Sequence, residues 1–226
     1  FVIWKDSQDL DMYPIDLRLE GRTALVAGGG AVAHRKVAGL LAAGAAVTVV
    51  APKLSPPLAA LAADGRITWL TQLATAEVFA SLPRALLVFC ATDDRAANAA
   101  FGKAAKEAGA LVNDATTPGL CDFFLPAALR DGDLLVTVST GGASPALART
   151  LKKRLAARLG ASWGDWLKRL VALREEAKER IEGSAGRETF WRAALSEHIL
   201  NLVEEGRLDE AEAEIRHALD CFGTES

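Results

Sequence analysis

Apolar residues along the chain come in two rhythms, short continuous runs and four-residue stripes, separated by glycine and small polar residues. Thr23–Ala27 (TALVA) and Val47–Val50 (VTVV) are compact apolar runs, and the stretch between them is long enough for a three-turn helix. Arg66–Leu70 (RITWL) alternates like a half-buried strand. Ala85–Ala91 (ALLVFCA) is continuously apolar, as a strand covered on both faces must be. Leu111 and Val112 open a further short strand that ends at Asn113 and Asp114. Leu58–Ala63, Glu77–Leu82 and Arg95–Ala108 read as the intervening helices, with Pro83 closing the second. Strands alternating with helices predict an α/β fold: a Rossmann-like, doubly wound parallel sheet that takes ligands at the carboxyl ends of its strands.

The rhythm changes after this. Leu134–Ser139 predicts one more strand, and Thr140–Pro145 (TGGASP) is a second glycine-rich turn. Ser144 is placed to cap a helix and Pro145 to begin it. That helix repeats Leu147, Leu151, Leu155 and Leu159 on one face and carries Arg149, Lys152, Lys153, Arg154 and Arg158 on the others. From Ser162 onward three stripes follow. They comprise Trp163, Trp166, Leu167 and Leu170; Phe190, Trp191, Ala194, Leu195, Ile199 and Leu202; and Leu208, Ala211, Ile215, Leu219 and Phe222, with breaks at Gly183, Gly186 and Gly206. Such stripes predict a helical core or dimer interface rather than a cofactor site. The division expected is a dinucleotide-binding domain over 12–115, a substrate-site and dimerisation segment over 116–159, and a helical domain over 160–226. Residues 1–11, ahead of the sole methionine, Met12, are expected to be an expression remnant or disordered.

Composition adds exclusions more than assignments. The 226 residues are half hydrophobic, with a formal net charge of −3, so no global pull toward nucleic acid is expected. Cys90, Cys121 and Cys221 are odd in number and far apart, which speaks against a disulfide framework or structural zinc and for a reducing, cytoplasmic setting. His34, His198 and His217 lack ligand spacing, so no metal site is expected, and no apolar run is long enough to span a bilayer.

The candidate chemistry begins at Gly28-Gly29-Gly30. A glycine turn between a strand and a helix, within a strand–helix–strand unit, is the context a dinucleotide site demands. Gly28 permits the tight turn and Gly30 allows close approach of a pyrophosphate. Ala33 is small enough for helix–strand packing, and the helix start offers unpaired N–H groups. No acidic residue ends the second strand. Ala51, Pro52 and Lys53 stand there instead, and Lys53 reads either as a partner for a 2′-phosphate or as a solvated lysine. Thr92-Asp93-Asp94 and Asn113–Thr117 fall at other strand ends, where capping and turn formation are the alternative to ligand binding. The Thr140–Pro145 turn with its basic helix suits carboxylates, the alternative being a solvated helix face.

Four separated segments carry a resemblance. They are YPIDLRLEGRTALVAGGGAVAHRKVAGLLAAGAAVTVVAP, FCATDD, LVNDATTPGLCDFFLPAAL and LLVTVSTGGASPALARTLKKRL, and together they resemble the precorrin-2 dehydrogenases, the dehydrogenase/ferrochelatase module of siroheme synthases. The resemblance covers about Tyr13–Leu159. It implies NAD-dependent oxidation of precorrin-2 to sirohydrochlorin, with ferrous iron a substrate in members that also make siroheme, and a homodimer. It places NAD on Gly28, Gly29, Gly30, Ala31 and Val32, with Pro52 and Lys53 near the adenosine and Thr92 and Asp93 near the nicotinamide. The tetrapyrrole falls to Asn113, Cys121, Asp122 and Phe123 together with Thr140, Gly141, Gly142, Ser144 and Arg149. One departure stands out, because the position of the family's catalytic aspartate is Thr116 here. Asp114 is then the candidate base, since a threonine cannot serve as one near neutral pH. The rival readings are a non-enzymatic NAD-binding regulatory module, a dehydrogenase of another anionic metabolite, and a chelatase that does not use NAD.

Overall fold

The computed structural model describes residues 12–222, and the expectation for residues 1–11 lies outside them. The chain divides into two compact units after Phe124. In the first, five strands form one parallel sheet: β1 (Thr23–Ala27), β2 (Ala46–Val50), β3 (Thr68–Leu70), β4 (Leu87–Cys90) and β5 (Leu111–Asp114), in the order β3-β2-β1-β4-β5. β1 is central, with Ala24 opposite both Val47 and Leu87. The chain reverses direction across the sheet between β1 and β4, which opens a crevice at their carboxyl ends. Four helices connect the strands: α1 (Ala31–Ala42), α2 (Pro56–Ala63), α3 (Ala76–Ala80) and α4 (Arg95–Glu107).

The apolar pattern accounts for this arrangement. Ala33, Val37 and Leu40, at helical spacing, bury α1 against one face of the sheet with Val26, Val47 and Phe89. On the other face, Phe101 and Ala105 of α4 pack with Leu25, Val88 and Val112, and Phe101 meets Phe79 edge-on at 5.3 Å. Two buried faces leave no room for polar alternation, so β4 reads LVFC.

The second unit differs from expectation at its start. The strand expected at Leu134–Ser139 is β7 (Leu134–Val138), and it does not join the parallel sheet. It pairs antiparallel with a strand absent from the sequence reading, β6 (Ala127–Asp131). Gly132 and Asp133 make the turn, with Gly132 at φ +54°. Helix α5 (Pro145–Leu159) follows, capped as expected by Ser144, whose Oγ accepts from the Leu147 N–H at 3.2 Å. Its Leu147, Leu151 and Leu155 stay exposed within the single chain, and Ala148 is the buried residue. The helices α6 (Trp163–Arg180), α7 (Ser184–Ala194), α8 (Glu197–Glu204) and α9 (Leu208–Cys221) enclose Trp166, Leu173, Phe190, Leu202, Ile215 and Leu219, largely as the stripes foretold. Gly186 does not break the chain. It sits inside α7, where an added Cβ would come within 3.1 Å of Ile181 Cγ2.

Phe101 is fully buried in an aromatic pair. Phe101→Ala should lower unfolding stability by about 3–5 kcal/mol, read by urea denaturation of the whole chain.

Candidate functional site

The glycine turn at the end of β1 is set by contact on one side and open space on the other. Gly28 has φ +117°, and a Cβ there would lie 2.4 Å from the Ala91 carbonyl oxygen at the end of β4. At Gly29 a Cβ would lie 1.9 Å from the Lys53 carbonyl oxygen, and the Gly29 carbonyl accepts from the Ser55 N–H at 2.7 Å. Gly30 meets nothing within 4 Å. The first two glycines therefore lock the turn against the loops after β4 and β2, while the third leaves a cradle a side chain would fill. Gly30 caps α1 without any side-chain bond, and the first turn holds no acidic residue, so the N–H groups of Ala31 and Val32 and the positive end of the helix dipole suit an anion. Ala33 is fully buried, consistent with close helix–strand packing.

Ser55 adds a second sign. Its hydroxyl is buried without a hydrogen-bond partner, next to the turn that its own N–H secures. An unmet buried hydroxyl costs about 1–3 kcal/mol, which a ligand hydroxyl would relieve. The open cradle, the bare helix start and this hydroxyl fit a dinucleotide. Pro52 and Lys53 are exposed beside it.

At the ends of β4 and β5 a chain of hydrogen bonds runs through Asn98, a residue the sequence reading did not single out. Asn98 is fully buried on α4 and its amide is completely satisfied. Its Oδ1 accepts from the Thr92 N–H (3.1 Å) and hydroxyl (2.6 Å), and its Nδ2 donates to the Thr92 carbonyl (3.0 Å) and to Thr116 Oγ1 (3.3 Å). The Thr116 hydroxyl donates in turn to Asp114 Oδ1 at 2.7 Å. The same oxygen accepts the N–H groups of Thr116 (2.7 Å) and Thr117 (2.9 Å). Asp114 is 4% exposed, and its Oδ2 takes no part in these three bonds. Asp93 is exposed in the turn, and Asp94 caps α4 through the Ala96 and Ala97 N–H groups. The signal for Asn98 was present in the sequence: it is the polar member of an otherwise apolar stripe with Phe101, Gly102 and Ala105.

The remaining candidates after β5 do structural work that the sequence did not disclose. Asp122 completes the open edge of β5: its Oδ2 accepts the Val112 N–H (2.9 Å), its N–H donates to the Val112 carbonyl (2.8 Å), and its Oδ1 pairs with Lys106 (2.7 Å). Asn113 Nδ2 donates to the Phe123 carbonyl at 2.9 Å, and the Asp114 N–H reaches Cys121 Sγ at 3.2 Å. Phe123 meets Phe89 edge-on at 5.4 Å. Burial, with the nearby Asp114 and Cys121 adding to it, pushes the Cys90 thiol up to about 12.

Thr140, Gly141, Gly142, Ser144 and Arg149 belong to the second unit. Thr140 Oγ1 accepts the Ser144 N–H at 3.1 Å, Gly141 and Gly142 have φ of +59° and +87°, and Arg149 is exposed. Among the described residues no group of three or more His, Cys, Asp or Glu is placed to hold a metal ion, and no helix is long and apolar enough to cross a membrane.

A family model described as putative NAD(P)-binding matches residues 15–127, one for the sirohaem biosynthesis protein central region matches 131–158, and one for the sirohaem synthase dimerisation region matches 162–219. The chain is 39% identical over 212 residues to the siroheme synthase of Methylococcus capsulatus, covering 94% of this chain and 44% of that protein. It is 40% identical over 207 residues to the siroheme synthase of Nitrosococcus oceani, covering 92% and 44%. It thus spans less than half the length of these curated relatives. A solved structure titled SirC, precorrin-2 dehydrogenase, superposes with a TM-score of 0.72 at 27% identity, covering 92% of this chain and 99% of that one.

Two outcomes follow from the turn and the thiol. Gly30→Val should retain the wild-type melting temperature yet weaken NAD(P)+ binding at least about tenfold by calorimetry, whereas Gly29→Ala should destabilise the fold itself. The Cys90 thiol ionises near 9 in the unfolded chain and near 12 in the folded one. Stability that is fully present below pH 9 is therefore lost as pH rises from 9 toward 12, by up to about 1.4 kcal/mol per pH unit. In Cys90→Ala that part of the alkaline slope in urea midpoints should disappear.

Proposed function

The chain belongs to the siroheme synthase family, by its NAD(P)-binding, central and dimerisation regions, and we propose that it is a precorrin-2 dehydrogenase, oxidising precorrin-2 to sirohydrochlorin with NAD+. The observation that carries the reading is positional. An open glycine cradle and a buried carboxylate loop stand at the carboxyl ends of β1, β4 and β5, three adjacent strands of one sheet.

Precorrin-2 gives up a hydride and a proton in this reaction. A nicotinamide, when bound, would supply the hydride acceptor. In our reading the N–H groups of the Gly28–Val32 turn hold the diphosphate, Pro52 and Lys53 flank the adenosine, and Thr92 and Asp93 flank the nicotinamide. Asp114 is the proton acceptor, through Oδ2. Thr116 and Asp114 then work as a set. A threonine at 116 can donate to Asp114 while accepting from Asn98, whereas a second ionised carboxylate there could not donate and would repel the first. The carboxylate thus stands at 114 with a hydroxyl orienting it. Asn113, Cys121, Asp122 and Phe123 shape the substrate side of this loop in the same reading. The same reading includes a homodimer and a cytoplasmic setting.

The test is anaerobic turnover of precorrin-2 with NAD+, followed by addition of ferrous iron to read siroheme formation. NADH and sirohydrochlorin should appear in equal amounts. Asp114→Asn keeps an acceptor for the Thr116 and Thr117 N–H groups but cannot take a proton, so it should fold normally and lose about 100-fold or more in kcat. Undiminished kcat in this variant removes Asp114 as the base. Binding of NAD+ without any turnover of precorrin-2 would replace the enzyme by a non-enzymatic NAD-binding regulator. Light scattering should give the mass of two 23.9 kDa chains.

A further inference from the structure

Lys36 lies on α1, five residues and about 7.5 Å of helix rise beyond Ala31, well past the helix start that faces the diphosphate position. Its Nζ stands 5.4 Å from the centre of the Phe89 ring. Phe89 is buried and edge-packed on Phe123, and Cys121, two residues before Phe123, is close enough to act on the ammonium electrostatically. Lys36 therefore sits on an aromatic floor beside Cys121, whose Sγ accepts the Asp114 N–H at 3.2 Å.

Its surroundings are unusual for a lysine, which ordinarily covers apolar surface with its stem and keeps its charge in water. Lys36 is half-buried. Burial foremost, and then the adjacent Arg35 guanidinium, hold its ammonium below the usual lysine range, with Cys121 acting in the opposite direction. No carboxylate is among the groups acting on it, and among the described residues it makes no ion pair. By contrast Lys106, on α4, is neutralised by Asp122 at 2.7 Å. A cation drawn partly out of water without a counter-charge is a cost to the fold, one that an anion arriving at this loop would offset.

We infer that Lys36 is a positioning residue that binds one carboxylate of the anionic substrate beside the Asp114 loop. The inference rests on the substrate reading above. A charged N–H···O bond from a helix of the rigid sheet layer would fix the macrocycle's rotation relative to Asp114, a task that hydroxyls on a loop perform less firmly.

The experiment titrates sirohydrochlorin, an octacarboxylate, into the full chain by tryptophan quenching, beside NAD+ titrations and thermal melts. The variants are Lys36→Met, which keeps the stem over Phe89 and removes the charge, and Lys36→Arg, which keeps the charge. Sirohydrochlorin affinity at least tenfold weaker in Lys36→Met, within about threefold of wild type in Lys36→Arg, with NAD+ affinity and melting temperature undiminished, supports the anchor. Equal sirohydrochlorin affinity in wild type and Lys36→Met overturns it and leaves the dehydrogenase reading intact. A lower melting temperature with unchanged affinity also overturns it, since Lys36 is then a structural cover for Phe89. Loss confined to NAD+ binding places it on the cofactor side and equally ends the proposal. Failure of the wild type to bind sirohydrochlorin overturns the substrate reading and the anchor with it.

Discussion

The first unit's site depends on how tightly the glycine turn after β1 is held against its neighbours. At Gly28 and Gly29 the turn after β1 is pressed against the carbonyls of Ala91 and Lys53, leaving no room for a side chain at either position. That contact joins the ends of β1, β2 and β4 at one point, reinforced by the Gly28 N–H to Val50 and the Ser55 N–H to Gly29. It also sets where α1 begins. With Gly30 outside the contact, the helix start points into open space with its N–H groups unpaired, so packing density and ligand access are settled by three consecutive glycines with different duties. The same placement sends α1 across the sheet so that Lys36 arrives beside the loop after β5.

A second dependency runs through polar groups. Asn98, Asp114 and Asn113 are buried, and each would be costly without partners. Asn98 meets all its hydrogen-bonding capacity between Thr92 and Thr116, and Asp114 Oδ1 gathers two N–H groups and a hydroxyl. A buried network satisfied this fully is rigid. It ties the end of β4 to the end of β5. Asp122 performs a different service nearby by pairing the edge of β5, which no further strand covers among the described residues.

The second unit is built from another contact of glycines. Gly132 in the β6–β7 turn would place a Cβ 2.8 Å from the Cα of Gly164, and the Gly164 N–H is held by Asp131 Oδ2 at 3.0 Å. The hairpin is thereby fastened to the first turn of α6, whose Trp166 opens the helical core. Helix α5 packs on the hairpin but leaves its leucine face exposed, as a surface would that has a further covering to receive.

By itself the sequence determined the parallel sheet, its helices, the glycine turn and the helical stripes, because each is written in local spacing: period two or unbroken for strands, three to four for helices, glycine where a Cβ cannot fit. Tertiary structure decided what spacing does not record. It paired Leu134–Val138 with Ala127–Asp131, a partner set by the Gly132 turn rather than by apolar pattern. It made Asp122 an edge cap and Asn98 a connector, and it brought Lys36 to the Asp114 loop, because partners 6 to 18 residues apart in one case and some 85 in the other meet only once the sheet is formed. Local free energies choose elements. Which polar groups share a buried site follows from how those elements cross.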